Sequence, residues 1–319
     1  MRKHIEFLKY YSAAKIRSSF INHYNIREYL LNTRIVGRTI FSANKINKEI
    51  YELILSKKPF MVGRFGANEL SALKTFDFQV ESKYKVSSIY MKNGAGFFSN
   101  STENLVRFKD VMLSCIPKVD IIGFWLQPFE DYYLKKYGSD SLKLTYLLDL
   151  EPWSCPESPW SAALKGKKVL VIHPFEDTIK SQYARREKIF PGTDILPKFE
   201  LKTLKAVQTI AGEKDERFDT WFDALEWMYQ EAIKIDFDVA IIGCGAYGLP
   251  LAAKLKDAGK QAIHLAGATQ LLFGIKGKRW EENDAFKYVQ KFFNDSWVYP
   301  SEKDIPRNAQ KVEGGCYWR

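Results

Sequence analysis

The stretch DVAIIGCGAYGLPLAAKLKDAGKQAIHLAG, from Asp238 to Gly267, constrains the fold of this chain more than any other. A β-branched apolar run leads into a turn that matches GxGxxG. An Ala/Leu/Lys-rich segment of helical composition and a second apolar run follow. The same strand–helix alternation recurs upstream. Ile46, Ile50, Leu53 and Ile54 are spaced as a helix, and PFMV then runs into GRFGANELSAL. Leu105 to Ile116 read as a helix with Ser101 or Thr102 as its cap. Strands are expected at Val119–Trp125 and Lys167–His173, with helical signal over roughly 128–137 between them. FELKTLKAVQ alternates and reads as a further strand. Phe218, Trp221, Phe222, Leu225, Tyr229, Ala232 and Ile233 mark the best helix of the chain, and a final helix is expected over about 282–294. The strands are continuous apolar runs, which argues for a mostly parallel sheet covered by helices on both faces. The expectation is one Rossmann-like α/β domain over 43–295, preceded by a basic helical arm (1–42) and followed by a tail (296–319). EPWSCPESPW, at 151–160, is the best break within it.

In such sheets ligands bind beyond the carboxyl ends of the strands. The turns found there are RFGANE, WLQPFE, HPFEDTIKSQ, GCGAYG and HLAGATQ, all rich in Gly, polar or ionisable residues. A dinucleotide site would also need an acid about 20 residues after the glycines, on the ribose hydroxyls. The second strand instead ends in His264, Leu265, Ala266 and Gly267, so NAD and FAD are disfavoured. Two roles stay open for Gly243, Gly245 and Gly248: close backbone approach to a phosphate at a helix N-terminus, or tight strand–helix packing. Arg64 can hold a diphosphate in its fork. Glu69, in the first helical turn, can ligate a divalent metal or complement the helix dipole. His173 ends a strand, and Lys180, Ser181, Gln182, Arg185 and Arg186 follow it. That is a donor set suited to a phosphorylated ligand, or a solvated basic helix face. His264, Gln270, Lys276, Lys278 and Arg279 form a third polar group near Trp280.

Composition narrows the partners. The formal net charge of +10 favours anionic ones. Residues 1–40 are rich in Lys and Arg with loosely helical apolar spacing. That pattern suits a segment on an anionic membrane face, but better suits a helical arm packed on the domain or on a second subunit. No nucleic-acid-binding motif, no GxSxG and no P-loop is present. Four isolated cysteines give neither a zinc pattern nor a disulfide framework. No apolar run approaches ~20 residues, so the chain reads as cytoplasmic and non-spanning.

Two anchors, PFMVGRFGANEL and the stretch quoted first, resemble GT-D type glycosyltransferases and their GT-D-like relatives of bacterial surface polysaccharide and glycoprotein assembly. The anchors cover about a fifth of the chain. The resemblance implies a nucleotide-diphosphate sugar donor, a glycan or lipid-linked acceptor, work near the inner membrane face, and a divalent metal such as Mn²⁺ or Mg²⁺. The family turn reads RFG-D-x-E; here Ala67 replaces the first acid, which puts the metal in doubt and leaves Glu69 as the residue to hold one. Arg64, Gly66 and Glu69 carry over from the family turn; beside them Asn68 and the turn of Gly243, Gly245 and Gly248 are expected on the donor, and His173, Lys180 and Arg185 on the diphosphate or acceptor. Glu69, His173 and Asp177 are the catalytic candidates, with Glu176 and His264 as further bases, His264 also facing the donor. Two rivals remain. One is a nucleotide- or SAM-binding Rossmann enzyme, which the late turn and missing acid disfavour. The other is a non-catalytic GT-D-like binding module, which Ala67 favours.

Overall fold

The computed structural model describes residues 10, 12, 34, 35 and 37–319. Most of the expected basic arm lies outside them. Where its end is described it is not helical: β1 (Arg34–Ile35) and β2 (Arg38–Phe41) form an antiparallel pair, and β2 continues into the main sheet.

Among the described residues the sheet has nine strands in the order β1-β2-β5-β4-β3-β9-β8-β6-β7. The remaining seven are β3 (Phe60–Arg64), β4 (Ile121–Phe124), β5 (Lys143–Tyr146), β6 (Lys168–His173), β7 (Glu200–Lys205), β8 (Val239–Ile242) and β9 (Gln261–His264). Every pairing from β2 onward is parallel. The expected α/β fold with a parallel sheet is therefore what the chain forms.

Side chains alternate across a strand, and here both faces are apolar. Met61, Ile122, Leu170, Ile172, Ala240, Ile242 and Ala262 point into one core, with the helices Ala67–Asp77, Thr102–Cys115, Trp221–Lys234 and Gly248–Asp257. Phe60, Val62, Ile121, Val169, Val171, Val239, Ile241 and Ile263 point into the other, with the helices Ala43–Ser56 and Glu176–Ala184. This is why the strands read as unbroken apolar runs. Helix starts follow local chemistry. Ser101 accepts the Asn104 N–H, and Thr220 and Asp223 form a reciprocal capping box before Trp221.

Three readings change. The helix expected over 282–294 is broken into short turns at Lys278–Glu282, Asp284–Phe286 and Lys287–Gln290. The break at 151–160 is an interior crossover within one sheet, with Trp153 and Trp160 buried. The tail folds back into the second core through Trp297, Val312, Cys316 and Trp318.

The register sets the carboxyl ends side by side: Arg64 opposite Gly123, Phe124 opposite Tyr146, and Ile242 opposite both Ile172 and His264. The chain leaves β6 toward β7 and β8 toward β9, in opposite directions, so a crevice opens between β6 and β8. The glycine turn sits at its mouth. Gly248 is in ordinary helical conformation, with φ −61°. What it lacks is space, since a Cβ there would fall 2.0 Å from His264 Cε1 and 2.2 Å from its Nδ1. The third glycine of the motif thus houses an imidazole from the next strand. Gly248→Ala is expected to destabilise the fold by about 1–3 kcal/mol through overpacking, despite alanine's better helix propensity of about 1 kcal/mol. Adding His264→Ala should restore most of the loss, as read by urea unfolding. A Gly248→Ala protein as stable as wild type would contradict this packing.

Candidate functional site

The carboxyl ends of the strands open into a cavity of about 850 Å³, a size typical of small-molecule sites. Of the residues singled out in the sequence, Arg64, Gly66, Asn68, Glu69, His173, Gly243, Gly245 and His264 line it. Gly248 stands behind His264. Asp177, Lys180 and Arg185 do not line the cavity: all three are exposed on the helix that follows β6. Glu176 pairs with Lys180 at 2.9 Å and accepts the Thr203 hydroxyl at 2.5 Å, and Arg185 bonds Gln182 at 2.6 Å. The helix turns Ile179 and Gln182 inward, which carries Lys180 and Arg185 outward. The basic group after His173 is therefore a solvated face.

Arg64 is the centre of the site. It ends β3, and its Nε is buried without a hydrogen-bond partner. No carboxylate lies within ion-pair distance of it among the described residues. Its guanidinium carbon is 5.9 Å from the centroid of the Trp125 ring. Burial lowers its pKa, Glu151 and the phenols of Tyr317 and Tyr288 oppose that, and Arg279 adds to it. A buried charged donor left unpartnered costs on the order of 1–3 kcal/mol or more. An anionic ligand would satisfy it.

Glu69 faces the same space but is turned back on its own helix. A Cβ on Gly66 would fall 2.0 Å from Glu69 Oε2. Burial raises its pKa, while a hydrogen bond from its own backbone N–H and the charge of Arg64 lower it. The carboxylate thus complements the first turn of Ala67–Asp77. Among the described residues no group of three or more His, Cys, Asp or Glu side chains is placed to hold a metal ion. Asn68 lies over Gly94, where a Cβ would come within 2.4 Å of its amide nitrogen.

The two histidines are held in opposite tautomers. His173 Nδ1 accepts the Phe175 N–H at 3.0 Å, so its proton is on Nε2. His264 Nδ1 lies 3.2 Å from the Ile242 carbonyl, which can only accept, so Nε2 carries the lone pair. Burial pushes both down to about 3, helped at His264 by Arg64. Both are neutral, and His173 faces the cavity as a donor.

Sequence reasoning missed Glu151. It lines the cavity with only 3% exposure, and its Oε2 accepts the Tyr288 hydroxyl at 2.7 Å. Burial pushes its pKa up to about 7, against the Tyr288 hydrogen bond and the charge of Arg64. The tail supplies another wall. Arg279 donates to the Tyr317 hydroxyl at 3.0 Å and to Glu313 at 2.5 Å. The carbonyls of Cys316 and Trp318 accept the Arg279 and Lys278 N–H groups. Trp125, Trp280 and Tyr317 give the cavity aromatic surfaces. Two turns at strand ends hold non-glycine residues at positive φ, Leu126 (63°) and Ala266 (52°). Such strain persists only where the surroundings enforce it.

No protein-family model matches the chain, and no curated protein matches it in sequence. Two solved structures resemble its fold, both of domain of unknown function 1792. One is described as having a distinct glycosyltransferase fold; the other is a selenomethionine-substituted structure. Each is 12% identical to this chain, and the match covers 83% of this chain and 92% of the other. The TM-scores are 0.43 and 0.41. At those values the likeness carries no weight for function, which is read below from the cavity.

Glu151 makes a stability test. Its pKa is raised from 4.5 to about 7, so the folded state favours the protonated form. The contribution is fully present below pH 4.5 and is lost as pH rises through 7. Glu151→Gln imitates the protonated acid. The variant should match wild type in urea at pH 4 and exceed it at pH 8, by on the order of 3 kcal/mol. Lower stability at both pH values would contradict the burial argument.

Proposed function

We propose that this cavity binds a nucleotide-diphosphate sugar and transfers its sugar to an acceptor hydroxyl. The observation that carries the reading is the unpartnered buried Nε of Arg64 at the carboxyl end of β3. Arg279 and Lys278 line the same space. Arg279 is paired with Glu313 and Lys278 with Glu282, so of the three Arg64 is the cation left open to a diphosphate, whose charge grows as the sugar–phosphate bond breaks. Preorganised donors aimed at developing charge contribute most in a partly dry site. In this proposal Arg and Lys take the part of a metal ion, consistent with Ala67 and with the way Glu69 folds back. The His173 Nε2–H adds a neutral donor. The aromatic walls suit the flat face of a base or sugar.

The glycine turn does not favour NAD or SAM. His264 fills the space over Gly248, and no acid ends β9. The acceptor we propose is a glycan or lipid-linked glycan of a surface polysaccharide, a choice resting on the resemblance of the two anchors alone. Peripheral contact with an anionic membrane through the basic residues before 34 rests on charge. Among the described residues no helix is long and apolar enough to cross a membrane.

A thermal-shift panel tests the reading, using UDP-, GDP-, dTDP- and CMP-sugars, NAD and SAM, each with Mn²⁺ or with chelator. One sugar nucleotide should raise the melting midpoint in the presence of chelator. At about 100 times its Kd the stabilisation is about 2.7 kcal/mol. Arg64→Gln should weaken that binding at least tenfold while leaving the unliganded fold intact, because among the described residues Arg64 makes no hydrogen bond or ion pair and loses only its contact with the Trp125 ring. A rise with NAD or SAM alone would refute the transferase reading. A rise that disappears with chelator would refute the metal-free diphosphate site.

A further inference from the structure

We propose that Glu151 is the general base of the transfer and that Tyr288 is the residue that positions it. This rests on the sugar-transfer reading of the same cavity. Glu151 sits in the connection between β5 and β6, and its backbone is fixed at both ends. Its N–H donates to the Leu148 carbonyl at 3.2 Å, and its own carbonyl accepts the Ser154 N–H at 2.9 Å. The indole of Trp160 donates to the neighbouring Leu150 carbonyl at 2.9 Å. The side chain therefore enters the cavity from a rigid wall. It shares that cavity with Arg64, close enough for their charges to interact, without forming an ion pair. Tyr288 holds one carboxylate oxygen, which orients the group.

The other candidates are worse placed. Glu69 is folded onto its helix. Asp177 and Glu176 line no part of the cavity. His264 Nε2 has a lone pair, but its depressed pKa makes it a weak base. The charged and titratable groups that act on Glu151 are Arg64 from β3, Tyr288 from Lys287–Gln290 and Asp149 from its own connection.

The step balances as a direct displacement. A lone pair of the acceptor oxygen forms the new bond to the anomeric carbon, and the hydroxyl proton passes to the Glu151 carboxylate. The bond from the anomeric carbon to the diphosphate oxygen breaks, and its electron pair leaves with the diphosphate beside Arg64. The anomeric configuration inverts.

The test uses water as acceptor and counts nucleoside diphosphate released from the sugar nucleotide that stabilises the protein. The rate of wild type should rise with pH through about 7, where Glu151 loses its proton. Glu151→Gln should keep the thermal shift with the donor and release nucleoside diphosphate about 10²–10⁴-fold more slowly. Tyr288→Phe removes a donor that favours the carboxylate, so its rising limb should move to higher pH. A purely structural tyrosine would leave that limb in place. If Glu151→Gln binds and releases at the wild-type rate, or wild type binds without release, or the released sugar has retained configuration, Glu151 is not the base and the donor site stands. If no sugar nucleotide binds wild type, the transfer reading fails and the base assignment fails with it.

Discussion

A half-buried arginine at the end of a central strand, its Nε buried and without a hydrogen-bond partner among the described residues, organises this molecule. Arg64 is placed by β3, which is hydrogen-bonded on both sides, to β4 and to β9. The strand cannot shift to relieve it. Several carboxyl groups stand close enough to feel its charge: Glu69, Glu151 and Glu130. Each is committed elsewhere. Glu69 lies back against Gly66 at the first turn of its helix, Glu151 accepts from Tyr288, and Glu130 accepts the N–H groups of Trp125 and Gln127. Burial pushes Glu130 up to about 8 and Glu151 to about 7, which weakens the negative charge that could have neutralised Arg64. A fold optimised for stability alone would pair these groups. Keeping them apart costs stability, which a bound anion would offset, the usual trade between stability and function.

The rest of the architecture serves that placement. Two apolar cores clamp the sheet, and the cavity opens at its carboxyl edge. At that edge the glycines act as spacers. Gly248 admits His264, and a Cβ on Gly243 would collide with His173, Thr269 and the Ala266 carbonyl. Gly245 takes a left-handed conformation, with φ +58°, against the Ala95 carbonyl. The motif matches a dinucleotide fingerprint in letters, but its space is spent on packing two histidines into a crevice. The carboxyl-terminal residues then fold back, and Tyr317 closes over Gly267 and Arg279.

Much of this was legible in the sequence. The apolar runs located β3, β4, β6, β8 and β9, and the turns after all five, at Arg64, Trp125, His173, Gly243 and His264, line the cavity. The failures have physical causes. β5 is four residues long and reads KLTY, with too little apolar pattern to announce a strand. The crossover after it, rich in Pro and Ser, looked like a break, and so Glu151 went unseen. Lys180 and Arg185 follow His173 directly in sequence, but helical periodicity turns Ile179 and Gln182 inward and the basic residues out. Proximity in sequence stood in for direction in space. The expected arm gives strands at 34–41 because β2 finds an open sheet edge in β5, a long-range pairing that local composition does not encode.

The most direct measurement is a crystal structure of the protein with the nucleoside diphosphate of whichever sugar donor binds. The account predicts diphosphate oxygens within ~3 Å of the Arg64 guanidinium, with Lys278 or Arg279 on the same group and no metal ion between them. A diphosphate bound elsewhere, with Arg64 still unpartnered, would contradict it.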